Sequence, residues 1–325
     1  MRDGKLPNRY KHLVKPLNWR EGPAGLYPDK LFFMEGASDM EGLGLCFSFL
    51  YVKAPCSFHP MEGSVSHPYD EVLVFASLDR GDILHLGAEI SIELGPEREE
   101  YAFSDPVCVC VPRGLAHGPV RVRGTERPFV HYAIALSPAY AEERVAASQR
   151  TPAAGSGKYA HLIKPFLFHR DENDKSEMGY ALAVDARGVG HPAEAGVGPG
   201  NADSLLWLFG SELEDFPLNF TWGHYSRCGK WHRAGEMHSH PEEEALFFVG
   251  LNPDDPLDFG AEPECGLGPA CERHIINRPS VYVMPPNLPH LPVILRWVDR
   301  PYGLVVCNLS GVHASPWSVT IEDIL

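Results

Sequence analysis

No stretch of this sequence approaches the roughly 18–20 consecutive apolar residues that cross a bilayer as a helix. Its opening, MRDGKLPNRYKHLVKP, lacks the apolar centre of a secretion signal, so a soluble, cytoplasmic protein is expected. A basic face is missing too: 28 Lys and Arg stand against 43 Asp and Glu, a formal net charge of -15. That balance argues against a nucleic-acid partner and against an anionic membrane surface. The eight cysteines, at 46, 56, 108, 110, 228, 265, 271 and 307, form no CxxC pair, which argues against a structural zinc site. Free thiols are expected in a reducing cytosol, with Cys265 and Cys271 as the pair to watch for a disulfide or a weak metal site. Helical periodicity is scarce. The best stretch is SPAYAEERVAASQ (137–149), with Ser137 as N-cap and Pro138 at the first helical position.

What the chain does have is Pro 30 and Gly 31 among its 325 residues, which suits many short strands joined by turns. EVLVFAS, AEISIEL, VCVCVP and FVHYAIAL are short apolar or alternating runs between Gly, Pro, Asp and Asn. Cys108 and Cys110, two apart, fall on one face of such a strand.

The chain also repeats itself. Residues 67–117 lie over 240–290 without a gap, placing His67 on His240, Glu71 on Glu244, Glu89 on Glu262 and His117 on His290, a constant shift of 173. The register continues through RPFVHYAIALS (127–137) and RPYGLVVCNLS (300–310). Upstream, RYKHLVKP (9–16) echoes KYAHLIKP (158–165) at a shift of 149, so the second copy carries about 24 extra residues. HPAEAGVGPGN (191–201) is the expected inserted loop. The chain therefore reads as two duplicated domains, 1–150 and 151–325, joined near SQRTPAAGSGK (148–158).

Two motifs carry chemistry. In EMHSHPEEEALFFVG (236–250), His238, His240 and Glu244 share strand parity and so face one way. His290, in VMPPNLPH, comes from a separate strand of the same copy. Three imidazoles and a carboxylate leave positions open on an octahedral ion for substrate, water or dioxygen. In the first copy Val65 stands at the place of His238, leaving His67, Glu71 and His117, either a three-ligand site or a decayed, structural half.

At these residues the chain resembles the cupins, in particular the two-domain bicupins. His238-Ser-His240-Pro-Glu-Glu-Glu244 matches their first motif. Pro285-Pro-Asn287-Leu-Pro-His290 and Pro112-Arg-Gly114-Leu-Ala-His117 match the second. Asn287 replaces a glycine there, and Asn tolerates the same left-handed turn. The resemblance implies an all-β chain of two tandem double-stranded β-helix (jelly-roll) barrels, with a divalent metal inside.

The leading functional expectation is a non-haem Fe(II) dioxygenase acting on a small aromatic or carboxylate-bearing molecule at His238, His240, Glu244 and His290. A redox-neutral isomerase, decarboxylase or lyase using Mn, Ni or Zn is the alternative, and a non-catalytic small-molecule binder is a third reading. Trp222, His224, Tyr225 and Arg227, in NFTWGHYSRCGKWH (219–232), are pocket candidates, set against burial of about half of these aromatics in the core. His59 and His232 also match at the shift of 173. They are expected to be core or exposed residues rather than to orient a ligand. Glu89 and Glu262 are expected to serve packing and turns. Arg123, Arg296, Arg127 and Arg300 are either carboxylate clamps or surface ion pairs. A monomer and a homo-oligomer both fit the sequence.

Overall fold

The computed structural model describes residues 8–145, 157–166, 201–231, 237–312 and 317–319. The expected inserted loop up to residue 200, most of the expected linker, and His232 lie outside these residues. The described chain is strands with a few single helical turns, and no helix in it is long and apolar enough to cross a membrane.

The chain divides into two compact units, Leu17–Leu167 and Met1–Pro16 with Phe168–Leu325. In the first, one sheet runs Ile163–Pro165, Val107–Val111, Glu71–Ser77, Phe129–Ala135, Cys46–Val52, Leu31–Glu35 and Trp19–Arg20. The other runs Glu143–Val145, Ser64–Ser66, His117–Thr125, Ala88–Leu94 and Glu99–Phe103, with Cys56–Phe58 beside His117–Thr125. All the pairings are antiparallel. The second unit repeats this plan around Glu244–Gly250 and His290–Val298. Its two sheets share one core, in which Leu246, Phe248, Tyr282 and Leu304 from one sheet meet Cys265, Leu291, Val293 and Leu295 from the other. Each such side chain contributes roughly 1.5–3 kcal/mol on burial. This is the expected all-β, two-jelly-roll architecture.

The central strands are buried on both faces. Val107–Val111 is buried throughout, with both its edges paired, to Glu71–Ser77 and to Ile163–Pro165. All eight cysteines are free thiols, Cys265 and Cys271 included.

The repeated heads RYKHLVKP and KYAHLIKP are docking arms. Val14–Pro16 adds a strand to Ser280–Met284, and Ile163–Pro165 adds one to Val107–Val111. Each arm brings a tyrosine ring onto the glycine of a repeated Leu-Gly-Pro. A Cβ on Gly268 would lie 2.2 Å from Tyr10, and one on Gly95 would lie 2.4 Å from Tyr159. Both glycines have positive φ, +72° and +75°, so the shared triplet serves turn and contact together.

The helix expected over 137–149 is not formed. Ser137–Glu142 is irregular chain, Glu143–Val145 is a strand paired with Ser64–Ser66, and 146–149 lie outside the described residues. The backbone there is committed to tertiary partners: the Ala37 N–H donates to the Pro138 carbonyl and the Tyr140 N–H to Glu35 Oε1. Such bonds outweigh the small intrinsic stability of one short isolated helix.

Candidate metal centres

In the second unit, His238 ends the strand Met237–His238 and pairs across the sheet with His290, the first residue of its own strand. Glu244 opens the strand Glu244–Gly250, and His240 lies in the turn between. The Asn287 N–H donates to the His240 carbonyl at 2.6 Å, tying the second motif to the first. Asn287 holds a φ of 62°, the left-handed turn expected of it; Gly114, its counterpart at 77°, donates in the same way to His67.

These links gather four donors in each unit. His238, His240, Glu244 and His290 form one group, and all four are buried. His290 Nε2 lies 2.9 Å and His240 Nε2 3.5 Å from the Glu244 carboxylate. The other group is His67, Glu71 and His117 with a fourth member, His59. Their Nε2 atoms lie 3.5, 3.7 and 3.1 Å from Glu71 Oε2 for His67, His117 and His59. Within each group the donor atoms lie within 4.8 Å of one another. Donors about 2.0–2.2 Å from a divalent ion sit about 3 Å apart when adjacent and about 4.2 Å apart when opposite. Both groups have that scale.

Protonation suits the same role. His67 Nδ1 donates to the Ala141 carbonyl, His117 Nδ1 to Leu115 and His290 Nδ1 to Leu288. A carbonyl only accepts, so each Nδ1 carries a proton and each Nε2 faces into the group. These three Nε2 atoms make no hydrogen bond, although buried nitrogens normally find one. For His290 the 2.9 Å approach to Glu244 lacks hydrogen-bond angles, as expected of two donors aimed at a common third point. Burial pushes the His117 imidazole down to about 3, keeping it neutral. Burial alone would raise Glu71, yet the imidazoles of His59 and His67 hold it well below the usual carboxylate range. Metal binding takes the carboxylate ionised and each imidazole unprotonated at its binding nitrogen. The residues of both groups therefore fit a divalent transition ion.

His59, expected to be a core or exposed residue, is buried and lies within donor distance of the three expected first-unit candidates. It approaches from the end of Cys56–Phe58 with a φ of 50°, rare for a non-glycine residue. Its carbonyl packs so tightly on Gly118 that a Cβ there would lie 2.2 Å from the oxygen. In the second unit Leu291, fully buried, takes the place of Gly118. In the first unit, Val65 at the place of the motif histidine goes with His59 joining the group from another strand. Val65 versus His238 and Gly118 versus Leu291 are the two sequence signals. Reading them requires knowing that 59 and 118 touch. Behind His59, Nδ1 lies 3.1 Å from the Tyr27 hydroxyl, itself 2.9 Å from Ser48 Oγ. Burial, with the Glu71 charge beside it, holds the Tyr27 hydroxyl protonated far above the usual tyrosine range.

The pocket candidates are placed as follows. Trp222, His224 and Tyr225 are fully buried on Asn219–Tyr225. Tyr225 stacks on Tyr302 in the core and accepts from the Trp231 indole, and His224 Nδ1 meets Ser204 Oγ at 2.8 Å. Trp222 packs over Gly303, where a Cβ would lie 2.6 Å from the ring. Arg227 is exposed and pairs with Asp203. Glu89 and Glu262 are exposed. The four arginines are surface ion pairs: Arg123 with Glu100, Arg296 with Glu264, Arg127 with Asp79 and Asp82, Arg300 with Asp258. Sequence reasoning passed over the residues level with the carboxylates: Asn308 and then Asn219 beside Glu244, Ala135 and then Cys46 beside Glu71.

No protein-family profile and no curated protein sequence matches the chain. Solved structures do. A structure of oxalate decarboxylase from Bacillus subtilis at pH 4.6 is similar over 94% of this chain and 78% of its own, with 8% identity and a TM-score of 0.55. A second, from work on the Mn(II) centres of the Bacillus subtilis enzyme, has the same coverage and identity and a TM-score of 0.56. A third oxalate decarboxylase structure, concerned with substrate binding and a reaction-specificity switch, is 10% identical with a TM-score of 0.54. At such identities the likeness speaks for the fold. The shared fold is one of two jelly-roll units, and each unit of this chain holds a buried His/Glu group.

Proposed function

We propose that the chain is a metal-dependent enzyme carrying out a redox-neutral reaction (decarboxylation, isomerisation or lyase chemistry) on a small organic acid. Mn(II) or a similar divalent ion would be held by His238, His240, Glu244 and His290, and a second by His59, His67, Glu71 and His117. The observation that carries this reading is the pair of buried three-histidine, one-glutamate groups whose donor atoms lie within 4.8 Å of one another. The fold shared with Mn-containing oxalate decarboxylases favours redox-neutral chemistry over the iron dioxygenase expected first.

A bound ion would act as a Lewis acid, polarising a substrate carbonyl or carboxylate. The chain's own part is to orient His67, His117 and His290 through backbone carbonyls, to keep Glu71 ionised, and to exclude water with a buried apolar shell. In the first unit the Tyr27–Ser48 hydroxyl pair stands behind His59 and fixes its ring.

Metal analysis tests the proposal. About two ions per chain are expected, falling to about one in either His240→Ala or His59→Ala. Full metal in both variants would sink the site assignment. Oxygen uptake by Fe(II)-loaded protein with an organic acid would instead favour the dioxygenase, and metal-free protein that still binds acids would favour the non-catalytic binder.

A further inference from the structure

Glu244 belongs to a row of polar side chains that crosses three strands of its sheet. Asn308 lies opposite Glu244 on one side and opposite Asn219 on the other. Cross-strand partners in an antiparallel sheet project to one face, so both amides share the face on which Glu244 joins the candidate metal group. Asn308 and Asn219 are each buried to 1% exposure. In the first unit the corresponding row beside Glu71 is Ala135 and then Cys46, which carry no amide.

The hydrogen bonds along the row fix which way each amide points. An indole N–H only donates, so the atom of Asn219 that meets Trp207 Nε1 at 3.1 Å is its oxygen. The Asn219 nitrogen then faces the other way, donating to the Ser310 carbonyl at 2.9 Å and reaching the Val312 carbonyl at 3.3 Å and Asn308 Oδ1 at 3.4 Å. Asn308 therefore presents its oxygen to Asn219. Because its strand lies between those of Asn219 and Glu244, its Nδ2 is left on the Glu244 side of the row. That nitrogen is buried and has no hydrogen-bond partner among the described residues. Buried amide donors are normally paired, and leaving one unpaired is costly. An acceptor held at the centre would pair it.

We infer that Asn308 is a substrate-binding residue of the second unit, its Nδ2 donating to an oxygen of a carboxylate held at the His238, His240, Glu244 and His290 centre. The inference rests on the metal-dependent reading above and adds to it a donor for the acid's oxygen. A carboxylate has two oxygens with lone pairs to share, so it can serve an ion and accept from an amide together. Hydrogen bonds to a charged acceptor are also the stronger kind. Asn219 holds the Asn308 amide in the orientation that leaves the donor free. The first unit, with the methyl group of Ala135 at this place, has no such donor there.

Acetate tests this in the Mn(II)-loaded full chain carrying His59→Ala, whose one remaining ion lies in the second unit. Displacement of metal-bound water by acetate is read from the relaxation rate of bulk water protons, with metal content measured alongside. Adding Asn308→Ala should weaken acetate at least about tenfold, the loss of one hydrogen bond to a charged group, and leave about one ion per chain. Asn308→Asp keeps the size of the side chain and the oxygen that meets Asn219 but replaces the donor with an acceptor. It should weaken acetate at least as much, and it carries the test alone if Asn308→Ala loses its cooperative melt. Acetate bound as tightly in either variant as in the His59→Ala parent would overturn the inference. Loss of the ion from a folded Asn308→Ala would overturn it too, because the amide would then serve Glu244 and the ion rather than the acid. A parent that does not hold one ion would instead fail the site assignment above, and the inference with it. Metal analysis of the parent alone shows which of the two has failed.

Discussion

The two units reach the same three-histidine, one-glutamate composition by different routes. The second unit takes its first imidazole from His238, cross-strand to His290 and flanked by the bulky Leu291. The first has Val65 at that cross-strand place, paired with His117, and draws His59 in over Gly118 instead. In the first unit the fourth imidazole comes from His59, whose carbonyl packs where a Cβ on Gly118 would lie. Duplication preserves the geometry of a centre more faithfully than the positions that build it.

The comparison breaks most sharply at His59. His59→Ala should abolish metal in the first unit, a loss of about 100-fold or more in affinity, with the second unit's ion retained. Adding Val65→His to that variant should restore the first unit's ion, because 65 faces His117 as 238 faces His290. Metal analysis of the single and double variants checks both outcomes. Failure of the rescue would mean that the two routes are not interchangeable.

Gly118→Leu is next in size. It should cost about 2–4 kcal/mol in denaturant unfolding, through the clash with the His59 carbonyl and the positive φ, and should cost the first unit its metal. Leu291→Gly should cost a similar amount by opening a cavity, yet leave the second unit's ion in place. The docking arms compare more evenly. Tyr10→Ala and Tyr159→Ala should each destabilise by about 1–3 kcal/mol, since each removes the ring over a glycine and its packing.

The smallest contrast is electrostatic. Arg296 holds Glu264 with two hydrogen bonds of 2.6 and 2.8 Å and, despite burial, keeps it below its ordinary value; Ser91 takes this place in the first unit. A carboxylate lowered on folding adds stability above its unfolded pKa and loses it as pH falls through the folded value. Glu264→Gln should therefore cost no more than about 1 kcal/mol at pH 7, with the difference from wild type vanishing in acid. Thermal melts at pH 7 and below pH 4 check the sign.

Much of this was legible in the chain. The alternating runs and the ungapped shift of 173 announced two all-β units, because strand faces and turn residues leave local marks. His238, His240, Glu244 and His290 stood out because strand parity places three of them on one face. His59 did not, since its role depends on contact with Gly118, 59 residues further on. The helix expected at 137–149 failed for a related reason, its backbone being taken by Glu35 and Ala37.

Local pattern alone therefore determined the strands, the duplication and the composition of the second unit's centre, because periodicity and spacing are properties of neighbours in sequence. Tertiary structure decided which histidine joins the first unit's group. That outcome depends on a few atoms brought together from distant strands, the His59 carbonyl against the missing Cβ of Gly118.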